Sequence, residues 1–346
     1  MKNMKNIKIA IIAPIAWRTP PKEYGPWELI ASNLTEGLVK KGYDVTLFAT
    51  ADSITNAKLH HVCKRGYEED KTINPDVWKL LHVSEVFERA EEFDIIHNHF
   101  DFPPLTYSRL VDTPVVTTIH GFSSEVIYPV YEKYNNNSFY VSISNADRYE
   151  KLDYVATVYN GIDLNKFHYN PKGDDDQYLV YLGRICHEKG TYEAIQIARK
   201  ANKKLIIAGL IQEPEYYEKK VKPFIDNKQI SYLGMIPDEQ VSILLGKAWC
   251  LLHPVMRPER FGLTMAESMA CGTPVIGFDK GSVSEVVEHG KTGYVVNTID
   301  EAVENIKKLD DIKRKDCRIR VERYFTVEKM VEEYIQVYEN IINQIK

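Results

Sequence analysis

Two stretches of the 346-residue chain hold side chains suited to anionic, hydroxyl-rich small molecules. The first is GRICHEKG over 183–190, where Arg184 and Lys189 stand five residues apart just after a β-branched run. An arginine forks across two phosphate oxygens and a lysine acts as a mobile point charge, so together they can neutralise a leaving diphosphate without a metal. Two cations on a loop are otherwise ordinary surface residues; their place at a strand's end favours the chemical reading. The second is PERFGLTMAESMACGTPVIG over 258–277. Glu259 falls in a loop, Gly262 permits close backbone approach, and a helix is expected from Leu263 or Thr264. The free N–H groups of a helix start can receive an anion, and Glu259 and Glu267, eight residues apart, suit the grip of sugar or ribose hydroxyls. Glu267 has a second reading: Thr264-Met265-Ala266-Glu267 fits a capping box, in which the carboxylate only satisfies backbone donors.

These side chains need strands to carry them. Short β-branched runs over 7–12, 45–48, 94–97, 115–119 and 139–143 read as buried strands. Between the first two, Leu29, Ile30, Leu34, Leu38 and Val39 keep a helical period, and Gly42 follows as a stop. Strand, helix, strand in this order predicts a parallel sheet. Hydrophobicity then drops over 166–177 (KFHYNPKGDDDQ), a linker texture, and the series restarts over 178–182, 204–208, 230–233, 249–253 and 275–277. One more amphipathic helix is expected over 327–345. The fold class is therefore α/β, with two doubly wound domains whose ligands bind outside the carboxyl ends of the strands.

Composition narrows the function. A length of 346 residues suits two domains, and 44% hydrophobic with 27% charged residues is globular. A net charge of -5 gives no footprint for nucleic acid, and no lysine- and arginine-dense run supports more than peripheral membrane contact. The cysteines (Cys63, Cys186, Cys250, Cys271, Cys317) are odd in number and lack a CxxC pair, so neither disulfides nor a zinc ribbon are expected. The basic start MKNMKNIK runs into an apolar stretch that ends in a proline-rich loop instead of a cleavage site, and nothing reaches a membrane span; a cytoplasmic protein is expected. Asp174-Asp175-Asp176 nominally satisfies a metal-binding DxD pattern but lies in the linker and reads as a solvated acidic run. No metal site and no cofactor are expected.

The ordered set PPKEYGPWE, DIIHNH, TTIHGF, SISNADR, YNGIDLNKF, GRICHEKG, Glu259-x7-Glu267 and GSVSEVVEHGKTGYVV resembles the retaining nucleotide-sugar glycosyltransferases of family 4 over nearly the whole chain. The resemblance implies the GT-B architecture, with two Rossmann-like domains facing a central cleft. One is an acceptor domain over 1–167 completed by a last helix over 328–346, the other a donor domain over 168–327. By matching position, Arg184 and Lys189 would hold the donor diphosphate, Gly262 and Leu263 would add backbone N–H contacts, Glu267 would bind the ribose, and Glu259 would face the transferred sugar. His120 in TTIHGF would line the reaction centre. His97 and His99 in DIIHNH read as cleft structure with an acceptor role left open, and Trp27 as acceptor platform, lid or core. Gly25 matches the glycine that approaches the diphosphate, but the family's second glycine is Pro26 here. Proline removes that N–H donor, although it suits the first position of a helix.

The resemblance thus implies a hexosyltransferase using a UDP- or GDP-sugar and a hydroxyl acceptor, which could be a saccharide, a lipid-linked glycan or a small glycoside. Oligomeric state is left open. A sugar-nucleotide epimerase or glycoside phosphorylase on the same fold, and a sugar-nucleotide-binding protein without turnover, are the competing readings. The sequence names neither sugar, base nor acceptor.

Overall fold

A computed structural model of the chain describes residues 7–122 and 124–345. The chain divides into two compact units, Met1–Gly161 with Val327–Lys346, and Ile162–Thr326. In the first unit the order is β1 (Lys8–Ile12), α1 (Pro26–Lys40), β2 (Asp44–Phe48), β3 (Lys58–His60), α2 (Pro75–Glu88), β4 (Ile95–Asn98), β5 (Val115–Ile119), α3 (Tyr128–Lys133), β6 (Ser138–Ser142) and β7 (Tyr154–Thr157). All seven strands are parallel, in the order β3-β2-β1-β4-β5-β6-β7. β1 lies between β2 and β4, and Ile9, Ala10, Ile11 and Ile12 are fully buried. A strand covered on both faces needs such a continuous apolar run. The chain winds outward from β1 to β3 and then returns to β4, so the order reverses between β1 and β4.

The second unit contains β8 (Leu179–Leu182), α4 (Thr191–Lys200), β9 (Leu205–Ala208), α5 (Pro214–Tyr216), β10 (Ile230–Tyr232), α6 (Asp238–Lys247), β11 (Cys250–His253), α7 (Leu263–Ala270), β12 (Val275–Phe278), α8 (Val283–Val286), β13 (Gly293–Val296), α9 (Ile299–Ile306) and α10 (Arg314–Tyr324). Its six parallel strands run β10-β9-β8-β11-β12-β13, and the reversal falls between β8 and β11.

The last helix, α11 (Val327–Ile345), returns to the first unit. Met330, Val331, Tyr334, Val337, Tyr338 and Ile341 are its buried residues, a helical stripe. Gly37 on α1 makes room for it: a Cβ there would stand 2.3 Å from Val331 Cγ2. The helix is also keyed by hydrogen bonds. His97 Nδ1 pairs with the Tyr338 hydroxyl at 2.6 Å, His97 Nε2 with Thr118 Oγ1 at 2.8 Å, and Thr118 Oγ1 with the Tyr334 hydroxyl at 2.7 Å.

Three details depart from the sequence reading. The short strands β3, β7 and β13 were not expected; β3 and β7 lie at the sheet's edges, where partial exposure blunts the hydrophobic signal. The division between units falls at 161/162, ahead of the expected 167/168. The supposed linker is also packed: His168 N–H donates to Ser242 Oγ at 3.0 Å, Asn170 N–H to Cys271 O at 3.0 Å, and Arg318 Nη1 to Phe167 O at 3.0 Å. Its polarity marks an exposed turn, not freedom from packing.

Removing the Tyr338 hydroxyl leaves His97 Nδ1 buried without that partner. Tyr338→Phe is expected to lower the unfolding free energy by about 1–3 kcal/mol, the cost of an unsatisfied buried polar group. Urea denaturation followed by circular dichroism measures it, and an unchanged midpoint would remove the hydrogen bond from the account of how α11 docks.

Candidate active site

The loop after β8 is shaped by one buried tyrosine. Tyr181 Oη donates to Arg184 O at 2.8 Å and lies 3.3 Å from Lys189 O, so one hydroxyl ties both ends of the loop. Burial pushes the Tyr181 hydroxyl well above its ordinary pKa, so it stays a donor. Gly190 follows in the left-handed region, at φ +72°, and a Cβ there would stand 1.8 Å from Pro254 O. The loop after β8 is therefore pressed onto the loop after β11, and Met256 N–H donates to Glu188 O at 2.8 Å across the same seam.

Glu259 occupies the second of these loops. Its N–H donates to Lys280 O at 3.2 Å and its carbonyl accepts from Ser282 N–H at 3.0 Å. Gly281 permits this approach, since a Cβ there would lie 2.2 Å from Glu259 O. The side chain turns inward and is 7% exposed. Glu259 Oε2 accepts from Lys189 Nζ at 2.6 Å and from His253 Nε2 at 3.0 Å, while Oε1 accepts from Arg260 N–H at 3.1 Å. Burial works to raise the carboxyl pKa, but the His253 hydrogen bond and the Lys189 charge outweigh it and hold the group far below the usual carboxylate range. Glu259 is a fixed anion.

Arg184 is held by carboxylate and amide partners, with Nη2 donating to Glu188 Oε1 at 2.6 Å and Nη1 to Gln212 Oε1. Gly262, at φ +80°, is the N-cap of α7, and a Cβ on it would meet Met265 Cε at 2.4 Å and Glu259 Cγ at 3.2 Å. Because α7 begins at Leu263, Thr264 and Glu267 both lie inside the helix, and no side chain caps it. The capping box does not form, so Glu267, which is half-buried, is not explained by it. Arg184 and Lys189 follow β8 while His253 ends β11 and Glu259 and Gly262 follow it, and these are the two adjacent strands where the sheet reverses. His253 was missed in the sequence; it ends an apolar strand six residues before Glu259, and only that spacing pointed to it.

The first unit places a different set at the carboxyl ends of β4 and β5, beside the start of α1. His99 Nδ1 and His120 Nε2 share a hydrogen bond at 2.9 Å, and Trp27 stacks on His120 with centroids 5.6 Å apart and planes at 22°. Burial pushes His120 down to about 3. It also holds His97 and His99 well below the ordinary histidine value, reinforced by the neighbouring rings, so all three are neutral. His97 corrects the acceptor reading: it is fully buried and both ring nitrogens are spent on Tyr338 and Thr118, so it has no face for a ligand. Gly25, at φ +154°, is the N-cap of α1, with Pro26 in the first turn. A second missed residue is Glu28, buried in that same turn, whose Oε1 accepts from Trp17 N–H at 3.3 Å. Burial raises its carboxyl to about 7, against the lowering effect of backbone hydrogen bonds.

Family models for Glycosyltransferase Family 4 and for Glycosyl transferases group 1 match residues 28–166 and 164–323. The chain is a family 4 glycosyltransferase, and its fold is GT-B. It is 23% identical over 368 residues to the N-acetyl-alpha-D-glucosaminyl L-malate synthase of Bacillus anthracis, covering 92% of this chain and 94% of that one. Sucrose-phosphate synthase from Thermosynechococcus elongatus superposes with a TM-score of 0.79 at 18% identity, over 98% of this chain and 100% of that one. An Anabaena protein solved with UDP-glucose gives 0.71 at 18% identity, over 96% and 100%. Membership makes this glycosyltransferase an enzyme and closes the reading of a binding protein without turnover.

Among the described residues no cluster of three or more His, Cys, Asp or Glu side chains could hold a metal. Asp176 of the acidic run is instead paired with Lys204 at 2.7 Å. No described helix is long and apolar enough to cross a membrane.

Because the folded pKa of Glu259 lies below its ordinary value of 4.5, its stabilising contribution is present above that value and lost as pH falls toward the folded one. Wild-type protein should lose its stability advantage over Glu259→Gln as pH is lowered from about 7 to about 3. Lys189→Met, which strands the carboxylate, should cost about 1–3 kcal/mol at neutral pH. Urea unfolding across this pH range measures both, and a wild-type advantage that grows on acidification would contradict the depressed carboxyl.

Proposed function

We propose that this glycosyltransferase moves a hexosyl group from a nucleoside diphosphate sugar to a hydroxyl acceptor, with retention of configuration and without a divalent metal. The observation that carries the proposal is the Lys189–Glu259–His253 cluster beside the Gly262 helix start at the reversal of the second sheet. A lysine ammonium has three donors and Glu259 takes one, so Lys189 can still reach phosphate oxygens. Arg184 adds a planar charge, and the first N–H groups of α7 at Leu263 add neutral donors. A carboxylate offers about four acceptor sites. Lys189, His253 and Arg260 use three of those on Glu259, which leaves room on Oε1 for one sugar hydroxyl. Glu267 is assigned to the ribose hydroxyls, the role that the family resemblance implies for it.

In the proposed reaction the bond from the anomeric carbon to the diphosphate oxygen breaks, and its electron pair leaves with the diphosphate. Negative charge grows where Arg184, Lys189 and the start of α7 already stand, which is preorganised stabilisation. The acceptor hydroxyl forms the new bond on the same face and gives its proton to the departing phosphate. His120 is assigned to the reaction centre only as the family resemblance implies, and its ring is neutral. The sugar-nucleotide and acceptor-type assignments draw support from the UDP-glucose bound to the Anabaena neighbour and from the named product of the Bacillus anthracis relative.

Thermal shift with UDP, GDP and ADP tests the base; a ligand at about 100 times its Kd adds about 2.7 kcal/mol. Glu259→Ala should abolish transfer while keeping nucleoside diphosphate affinity, and Glu267→Ala should weaken that affinity. Equal loss of affinity in both would refute the division of roles. Arg184→Ala should lower kcat by about 10²–10³, the effect of removing one preorganised donor. A coupled assay for diphosphate release, with and without acceptor, should show acceptor-dependent turnover that survives EDTA. Release without acceptor means hydrolysis of the donor, conversion of the donor sugar without diphosphate release favours an isomerase, and activity lost to EDTA and restored by Mn²⁺ sinks the metal-free reading.

A further inference from the structure

We propose that His99 is a positioning residue that fixes His120 as the tautomer carrying its proton on Nδ1, making His120 a neutral hydrogen-bond donor toward the reacting sugar. The inference rests on the assignment of His120 to the reaction centre made above. A single proton lies between His99 Nδ1 and His120 Nε2, which are 2.9 Å apart. Both rings are neutral because burial penalises their charged forms. Two arrangements remain. If His120 Nε2 carries the proton, His99 must carry its own on Nε2. That atom is buried and has no hydrogen-bond partner among the described residues. An N–H would then be orphaned between packed rings, with His97 4.2 Å away by centroid. If His99 Nδ1 carries the proton, the orphan is only a lone pair. Buried N–H groups without partners are rarer than under-used acceptors, and leaving a donor unmade costs its full desolvation. The second arrangement is favoured, and it places the His120 proton on Nδ1.

The rest of the surroundings hold that ring in place. Trp27 stacks on it at 5.6 Å and the His99 ring lies 5.2 Å away at 34°, so a ring flip must displace one of them. His120 Nδ1 has no partner among the described residues, and the residue is 8% exposed. A neutral N–H of this kind can donate to a sugar hydroxyl or ring oxygen without carrying a charge into the site. It needs no proton transfer.

The deciding measurement is the nitrogen-15 spectrum of the full chain labelled at histidine, assigned with His120→Gln. A pyrrole-type Nδ1 and a pyridine-type Nε2 for His120 are expected; the reverse pattern, or a mixture of the two, overturns the proposal. The kinetic counterpart uses variants at His99. Asn places an amide N–H near the position of Nδ1 and should hold kcat within about threefold, whereas Asp, which only accepts, should lower kcat by about 10²-fold at unchanged donor KM. Equal kcat in Asn and Asp variants of matched melting temperature also overturns it. Should a variant fail to fold, the wild-type spectrum decides alone. If that spectrum shows the expected tautomer but no sugar nucleotide is turned over, the proposed function fails and the tautomer assignment stands.

Discussion

The second unit is arranged around one buried negative charge. A carboxylate taken out of water costs several kcal/mol unless it is paired and hydrogen-bonded. Glu259 meets that requirement only because Lys189, 70 positions earlier in the chain, reaches it from the neighbouring loop. To bring Lys189 there, the loop after β8 must lie on the loop after β11 closely enough that no side chain fits at Gly190. To keep Glu259 itself in place, its backbone is pressed against Gly281, where again no Cβ fits. Two backbone contacts and the adjacency of β8 and β11 therefore serve the same ion pair. His253 adds the second donor from the strand itself, so the position of the charge is set by the sheet and not by loops alone.

The first unit solves its polar burial in the opposite way. Its chain of buried groups, Tyr338 to His97 to Thr118 to Tyr334, consists of three hydroxyls and one neutral imidazole. Such groups can reverse donor and acceptor roles to suit one another, and their desolvation is far cheaper than that of ions. Burial then works uniformly toward neutrality: it pushes His120 down to about 3 and Glu28 up to about 7. A carboxyl titrating near 7 beside the Gly25 turn is the one group of this set whose charge changes around neutral pH.

Much of this architecture was legible in the sequence because central strands are buried on both faces. The runs that became β1, β2, β4, β5 and β6 are rich in β-branched and aromatic residues and mostly buried, and α11 keeps a buried stripe along most of its length. The edges were less legible: Lys58 and Val155 are exposed, and β13 begins at a glycine. In the site, Arg184, Lys189 and Glu259 stood out because each follows a strand. Their partners did not, since pairing depends on which strands become neighbours. Glu267 read as a cap because Thr264 has the right chemistry for one. Gly262, in a left-handed conformation, opens the helix ahead of it and takes that place. His97 and His99 share one motif and look alike there. Only the return of α11, 241 positions downstream, separates the keyed core residue from the one that meets His120.

The same pairing that stabilises the second unit also bears on how it could act. Isolated cations on a loop would repel one another and wander among rotamers, and fixing them would fall to the substrate. Here Glu188 and Glu259 hold Arg184 and Lys189 in position. In the proposed reaction each carboxylate would also temper the pull of its cation on the diphosphate, because the net charge of each pair is near zero. Only interactions that strengthen as the reaction proceeds accelerate it; equal attraction to ground and transition states gains nothing in kcat. A balanced pair suits that need, since a diphosphate that gains charge as it departs draws more from a fixed donor than the bound ground state does. The residues that anchor the cations, although they do not touch phosphate in this scheme, would then govern how much of the binding energy appears in the rate.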